Sequence, residues 1–269
     1  MCALIIAPGK GQMPKALGRW GLVTTSTARA RLRGLRDDEP PHELDDGASA
    51  SLISQTQSAI RRDIIRHVFA PGERLKIQAL VERYGVGLSP IREALALMSA
   101  SGLVIREDRR GFRVAPMSLA DYRDAQLLMG RLWPFALGLA LTNGPPAWEQ
   151  QLVLALYRTL KFDWARAERE PRLYQEWDDA YRSFAREMVA GSGSPMLVAL
   201  IDNLVDRLER YRWLVPEVKA DTALDDRNHR GLVDALIARD ADRLRLAIRD
   251  YYAGGLAQRD AIEARLGAS

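Results

Sequence analysis

A chain of 269 residues, 47% hydrophobic and 28% charged, has the length for one or two domains and the composition of an ordinary globular protein. Its net charge of +4 permits an anionic partner without demanding one, and a single cysteine, Cys2, excludes a disulfide framework and a cysteine-based zinc site. Three histidines leave little for a histidine-rich metal centre, and no apolar run approaches the roughly 20 residues that span a bilayer, so a cytoplasmic protein is expected.

Residues 1–50 read as a flexible tail. They pass from the basic "STARARLRGLR", where a short helix over 26–36 is expected, to the acidic, turn-rich "DDEPPHELDDGASAS". Met13 is a second candidate start. From Ser51 the pattern becomes helical, with Ile53, Ile60, Ile64, Ile65 and Val68 on one stripe ended by Pro71-Gly72. "KIQALVERYG" gives a second short helix with Ile77, Leu80 and Val81 inward and Gly85 as its stop. In "GVGLSPIREAL" Ser89 is placed as an N-cap and Pro90 as the first helical residue, where its missing N–H is no loss. Ile91, Leu95, Leu97 and Met98 are assigned to the buried face. Two β-like runs follow, "LVIRE" and "GFRVAPM", joined by "DRRG". Three helices and a hairpin in this space outline a winged helix-turn-helix.

Charge divides the chain in the same place. Residues 51–117 hold eleven Lys and Arg against six acids, a net +5, whereas 118–269 carry a net −2. A basic module on a slightly acidic body is what contact with a phosphate backbone asks for. After Ser118, spaced from Asp121 as a helix cap, the chain reads as about six successive helices. Pro134 kinks or breaks the first; Asn143-Gly144-Pro145-Pro146, Pro171, "GSGSP" and Pro216 punctuate the others, and one helix is expected from Asp240 to the C-terminus. The expected fold is therefore mainly α, with a tail (1–50), a winged helix-turn-helix (51–117) and a helical bundle (118–269) large enough to enclose a pocket.

The stretch from "PGERL" through "GV", "SPIREAL" and "GLV" to "RRGFRV" resembles the N-terminal domain of the GntR family of bacterial transcription regulators. The bundle, through "SFAREMVAGSGSPML" and "NHRGLVDALIARDADRLRLAIRDYY", is similar to the helical FCD effector domain of the FadR subfamily. The resemblance implies a recognition helix over 89–101. Ser89 and Arg92 would meet phosphate or base edges, Arg74 would lie near the DNA, and Arg110-Gly111 would form the wing tip at the minor groove. Leu88 stands where many relatives place a second arginine, and a thymine methyl is the contact left to it. For each arginine a solvated surface charge is the plain alternative.

Many FCD domains hold a divalent metal through one Asp and three His. Placed on that pattern by "GSGSP", the ligand positions fall at Tyr181, Ala185, His229 and Tyr251, or Tyr252 with a one-residue slip. One ligand of four remains, so neither a structural metal nor any other cofactor is expected. Tyr181, His229 and Tyr251 become candidates for direct effector binding, with Arg131 a partner for an effector carboxylate and Trp133, Phe135 and Trp177 as walls. An ordinary interior histidine is the competing account of His229. The implied activity is that of a non-enzymatic repressor, a homodimer that reads a palindromic double-stranded operator under control of a small-molecule effector. Two rivals are a helical protein-interaction module with lost DNA reading and a magnesium-dependent helical enzyme. The second rests on "DDAYRSF" and "DDRNH", which lack further carboxylates; Asp225-Asp226 is better read as helix-start charge.

Overall fold

The computed structural model describes residues 46–108, 110–162, 173–215 and 222–268. The helix expected over 26–36 lies outside them. Helix α1 spans Asp46–Ile65, so it begins inside the segment that composition assigns to the tail. Strand β1 (Arg74–Leu75) leads to α2 (Ile77–Tyr84) and α3 (Leu88–Ala100), and β2 (Val104–Glu107) and β3 (Gly111–Val114) complete the winged unit. The two expected strands pair antiparallel, Val104 opposite Val114. The sequence pattern missed β1, whose two residues pair with Phe112 and Arg113 and make the order β1-β3-β2. Two residues are too few for an alternation to register.

The apolar stripes of these elements meet in one cluster containing Ile60, Ile64, Leu80, Ile91, Leu95, Met98, Phe112 and Val114. Two residues differ from expectation. Val68 lies beyond the end of α1 and is exposed. Leu97 is also exposed, because the stripe of α3 runs through Ile91, Ala94, Leu95 and Met98 and leaves position 97 on the opposite face. The first turn of α3 differs too. Its cap is Gly87 in extended conformation, which puts Ser89 and Pro90 at the second and third helical positions. Proline is still tolerated there, since the first four helical N–H groups have no partner within the helix.

Seven helices follow among the described residues. They are α4 (Leu119–Asn143), α5 (Pro146–Leu160), α6 (Leu173–Ala190), α7 (Pro195–Arg212), α8 (Thr222–Ile237), α9 (Ala241–Gly254) and α10 (Leu256–Gly267). Ser118 caps α4 by accepting from the Asp121 N–H at 3.1 Å, and α4 continues through Pro134 as one helix. Ser194 and Pro195 start α7 in the same manner, Ser194 accepting from the Leu197 N–H at 3.3 Å. The single helix expected after Asp240 is divided at Gly255, where two adjacent glycines give low helix propensity. The bundle core gathers Trp133, Leu137, Trp148, Leu152, Phe184, Met188, Ile201 and Leu236.

Candidate functional site

The buried stripe of α3 decides what the helix presents. With positions 91, 94, 95 and 98 inward, Leu88, Ser89, Arg92, Glu93, Ala96, Leu97 and Ala100 form one continuous exposed face. Leu88, at the first turn, is 51% exposed. The N-terminal half of that face holds a hydroxyl and a guanidinium, at the helix end whose free N–H groups favour an anion. Ser89 Oγ donates to Glu93 Oε1 at 2.7 Å, so a contact from Ser89 to DNA requires exchange of that partner. Arg74 on β1 and Arg110 at the wing are also exposed, and Gly111 takes a φ of +88°, which a side chain would strain.

The charge count of the winged unit is resolved into two populations. Arg74, Lys76, Arg92, Arg106 and Arg110 are exposed. The arginines of α1 instead turn toward acids of the bundle. Arg61 meets Asp206 at 3.0 Å, Arg66 meets Asp178 at 2.6 Å and Arg62 meets Asp179 at 3.7 Å. Arg83 binds Asp63, which also accepts from the Tyr84 hydroxyl at 2.7 Å. Arg113 ties the hairpin through Glu107 and the Gly72 carbonyl. The basic excess read from sequence is thus partly a set of internal pairs.

In the bundle, Tyr181 from α6, His229 from α8 and Tyr251 from α9 come together. The two phenolic oxygens lie 3.2 Å apart, and the His229 ring sits 5.7 Å from Tyr181 and 5.8 Å from Tyr251. Trp133 packs on Tyr251 at 4.9 Å, and Trp177 stacks on Tyr181 at 5.1 Å. Phe135 does not join them. It is 59% exposed, because a two-residue step along α4 turns it away from the Trp133 side. Arg131 is likewise exposed on α4 and is not brought to the three residues.

The cation near this cluster is Arg212, at the end of α7, which sequence reasoning missed. Its guanidinium lies 5.9 Å over the Tyr181 ring and binds Glu209 at 3.1 Å. Chain order gave no signal for it, since arginines end several helices here and only the fold selects one. Burial, with Arg212 nearby, pulls the His229 imidazole down to about 4, so it is neutral at physiological pH. Burial and Tyr181 push the Tyr251 phenol well above its ordinary range.

A metal does not fit this set. Two phenols already share a hydrogen bond, Ala185 is a core residue, and one imidazole remains. Among the described residues no group of three or more His, Cys, Asp or Glu side chains is placed to hold an ion.

A winged helix-turn-helix that exposes its third helix, joined to a bundle with a polar-lined aromatic cluster, defines a ligand-responsive DNA-binding protein. Comparison with known proteins gives the particular family. Residues 52–114 match the family of "Bacterial regulatory proteins, gntR family", and residues 128–254 match the FCD domain. The chain is 35% identical over 194 residues to the HTH-type transcriptional regulator BphR of Paraburkholderia xenovorans, covering 72% of this chain and 79% of that protein. It is 32% identical over 196 residues to the transcriptional repressor GlaR of Escherichia coli, covering 71% and 88% respectively. Its fold is similar to that of E. coli McbR/YncC, with a TM-score of 0.62 at 21% identity over 80% of this chain and 97% of that one. The chain belongs to the GntR family and carries an FCD domain. It is a DNA-binding transcription regulator whose operator binding is modulated by an effector, and not an enzyme. No helix among the described residues is long and apolar enough to cross a membrane.

Proposed function

We propose that the chain is a cytoplasmic repressor that binds a two-fold operator as a homodimer and responds to a small carboxylate. In this reading residues 51–117 are the DNA reader, 118–269 bind effector and dimerise, and 1–50 are a tail. The observation that carries it is the exposed face of α3, with Leu88, Ser89 and Arg92 in its first turns. Arg92 forks onto a guanine, Leu88 touches a thymine methyl, Ser89 and Arg74 take phosphates, and Arg110-Gly111 approaches the minor groove. Dimerisation is supported by apolar side chains left exposed on the bundle, Leu127 and Phe135 on α4 and Val153 and Tyr157 on α5. Arg131 shares that face of α4, which favours a role between copies over one at the effector. The effector reading rests on Tyr181, His229 and Tyr251 meeting beside Arg212.

Selection from a random duplex pool, followed by anisotropy across a salt series, tests the proposal. Enrichment of a short palindrome bound with steep salt dependence is expected. Salt-sensitive binding with no sequence enrichment would instead favour the interaction-module reading.

A further inference from the structure

The apolar core of the winged unit and that of the bundle share no residue among those described. Ion pairs tie α1 to the bundle, around a cleft that Ile65 and Val205 also line. Arg61 is 12% exposed in its side chain and pairs with Asp206, itself 6% exposed. Asp206 also receives Arg182 from α6. Arg66 closes on Asp178 and covers the face of Trp213, 5.6 Å from the ring centroid. Beside this seam Arg210, almost fully buried, donates to the Ala115 carbonyl at 2.5 Å, which pins the chain as it leaves β3.

These contacts sit on elements with second duties. Ile60 and Ile64, on the other side of α1, pack in the core shared with α3. Tyr181 lies on α6 between Asp178 and Arg182, and Glu209 and Arg212 follow Asp206 on α7. Tyr181 and Asp206 both line one cleft between α1, α6 and α7. Burial lowers Arg61 and draws Arg182 down to about 10, and it raises Asp178, so each charge leans on its partner. Ion pairs of this kind are directional, and loss of one member leaves a charge buried without compensation. Contacts between domains of one chain otherwise permit relative motion by default.

We propose that the seam Arg61–Asp206–Arg182 with Arg66–Asp178 sets the orientation of the DNA reader on the bundle, and so determines which half-site spacing the protein accepts. Asp206 is its central positioning residue, because it holds one arginine from the reader and one from the helix that carries Tyr181. The inference rests on the reading of the chain as a paired operator reader. Two readers held in fixed register engage two half-sites together, whereas loosely held readers lose the gain from effective concentration.

The test compares the full-length protein with Asp206→Asn, Asp178→Arg and the exchange Arg66→Asp/Asp178→Arg. Anisotropy is measured on an enriched two-fold duplex and on a duplex carrying one half-site. For Asp206→Asn and Asp178→Arg, binding to the two-fold duplex is expected to weaken roughly tenfold, with half-site binding changed less than about twofold. The exchange is expected to recover most of the loss. Unchanged two-fold binding in both single variants overturns the proposal. Equal losses on both duplexes overturn it too, since the residues would then support the reader's own fold. If Asp206→Asn loses its helical circular dichroism, Asp178→Arg and its exchange carry the comparison. Failure of the underlying reading is seen separately, as a wild-type protein with no preference for the two-fold duplex.

Discussion

Arg92 and His229 show how differently two polar side chains can be placed. Arg92 is exposed one turn into α3, and the proposed bidentate contact to a guanine would distinguish one base from the others. Arg92→Ala is expected to weaken binding to the selected duplex by about 1–3 kcal/mol and to relax preference at one base position, read by anisotropy on a substitution series. His229 is enclosed, and its pH effect follows from the direction of its shift. Above pH 6.5 the imidazole is neutral in folded and unfolded chains alike. As pH falls toward 4 the unfolded chain takes up a proton that the folded one refuses. Stability is therefore lost across that window, by an amount on the order of 3 kcal/mol at its acidic end. His229→Gln should flatten the fall of Tm between pH 6.5 and 4.5 relative to wild type.

At the level of elements, α4, α5 and α6 are fitted around Trp148. Its indole N–H donates to the Glu187 carbonyl at 2.7 Å, and a methyl group added at Gly191 would lie 2.5 Å from the ring. Gly144 presses on the same ring from the end of α4. Gly191→Ala is expected to cost about 1–3 kcal/mol, read as a lowered Tm with DNA sequence preference intact. Arg239 secures the same corner. It leaves α8 at a φ of +54° and donates to the carbonyls of Ala140, Leu141 and Gly144 at the end of α4, where helical carbonyls run short of backbone donors. The cap at Ser118 was legible because a hydroxyl reaching three residues along the chain is a local event; Ser194, read only as part of a turn, caps α7 in the same way. The misplaced start of α3 has the same origin in reverse. Gly87, Leu88 and Ser89 all permit a helix to begin, and Ser89 found its partner in Glu93 instead of in the backbone.

For the whole molecule, the absence of a fitting ligand set among the described residues and the charge division lead to solution tests. Protein purified without a polyhistidine tag is expected to carry no stoichiometric Zn, Ni or Mn by elemental analysis, and EDTA should leave its Tm unchanged. Tightly held metal would show that the ligand positions are assigned wrongly. Association with the selected duplex should weaken steeply with salt, and replacing Arg74, proposed to contact a phosphate, with Ala should reduce the log–log slope by about one. Arg62→Ala should not reduce it, because that arginine faces Asp179 on the bundle.

Repeating patterns of apolar residues and short-range chemistry made much of this protein readable from its residues. The 3.6-residue stripes of α1 to α3, the short β-like runs of β2 and β3, the Ser-Pro and glycine punctuation and the family-like "SPIREAL" are all contained within a few neighbouring positions. They were enough to identify the winged unit, the helical bundle and the candidate reading helix. Other features depend on which distant side chains share a space. Leu97 is exposed because Ala94 occupies the stripe, Phe135 leaves the aromatic cluster because Trp133 enters it, and Arg212 is chosen from many arginines by the closing of α7 beside α6 and α9. The largest change of meaning falls on Arg61, Arg62 and Arg66. Linear charge counts assign them to the DNA-facing surface, but a Coulomb interaction depends on distance in space, and only the packing of α1 on the bundle set these three beside Asp206, Asp179 and Asp178.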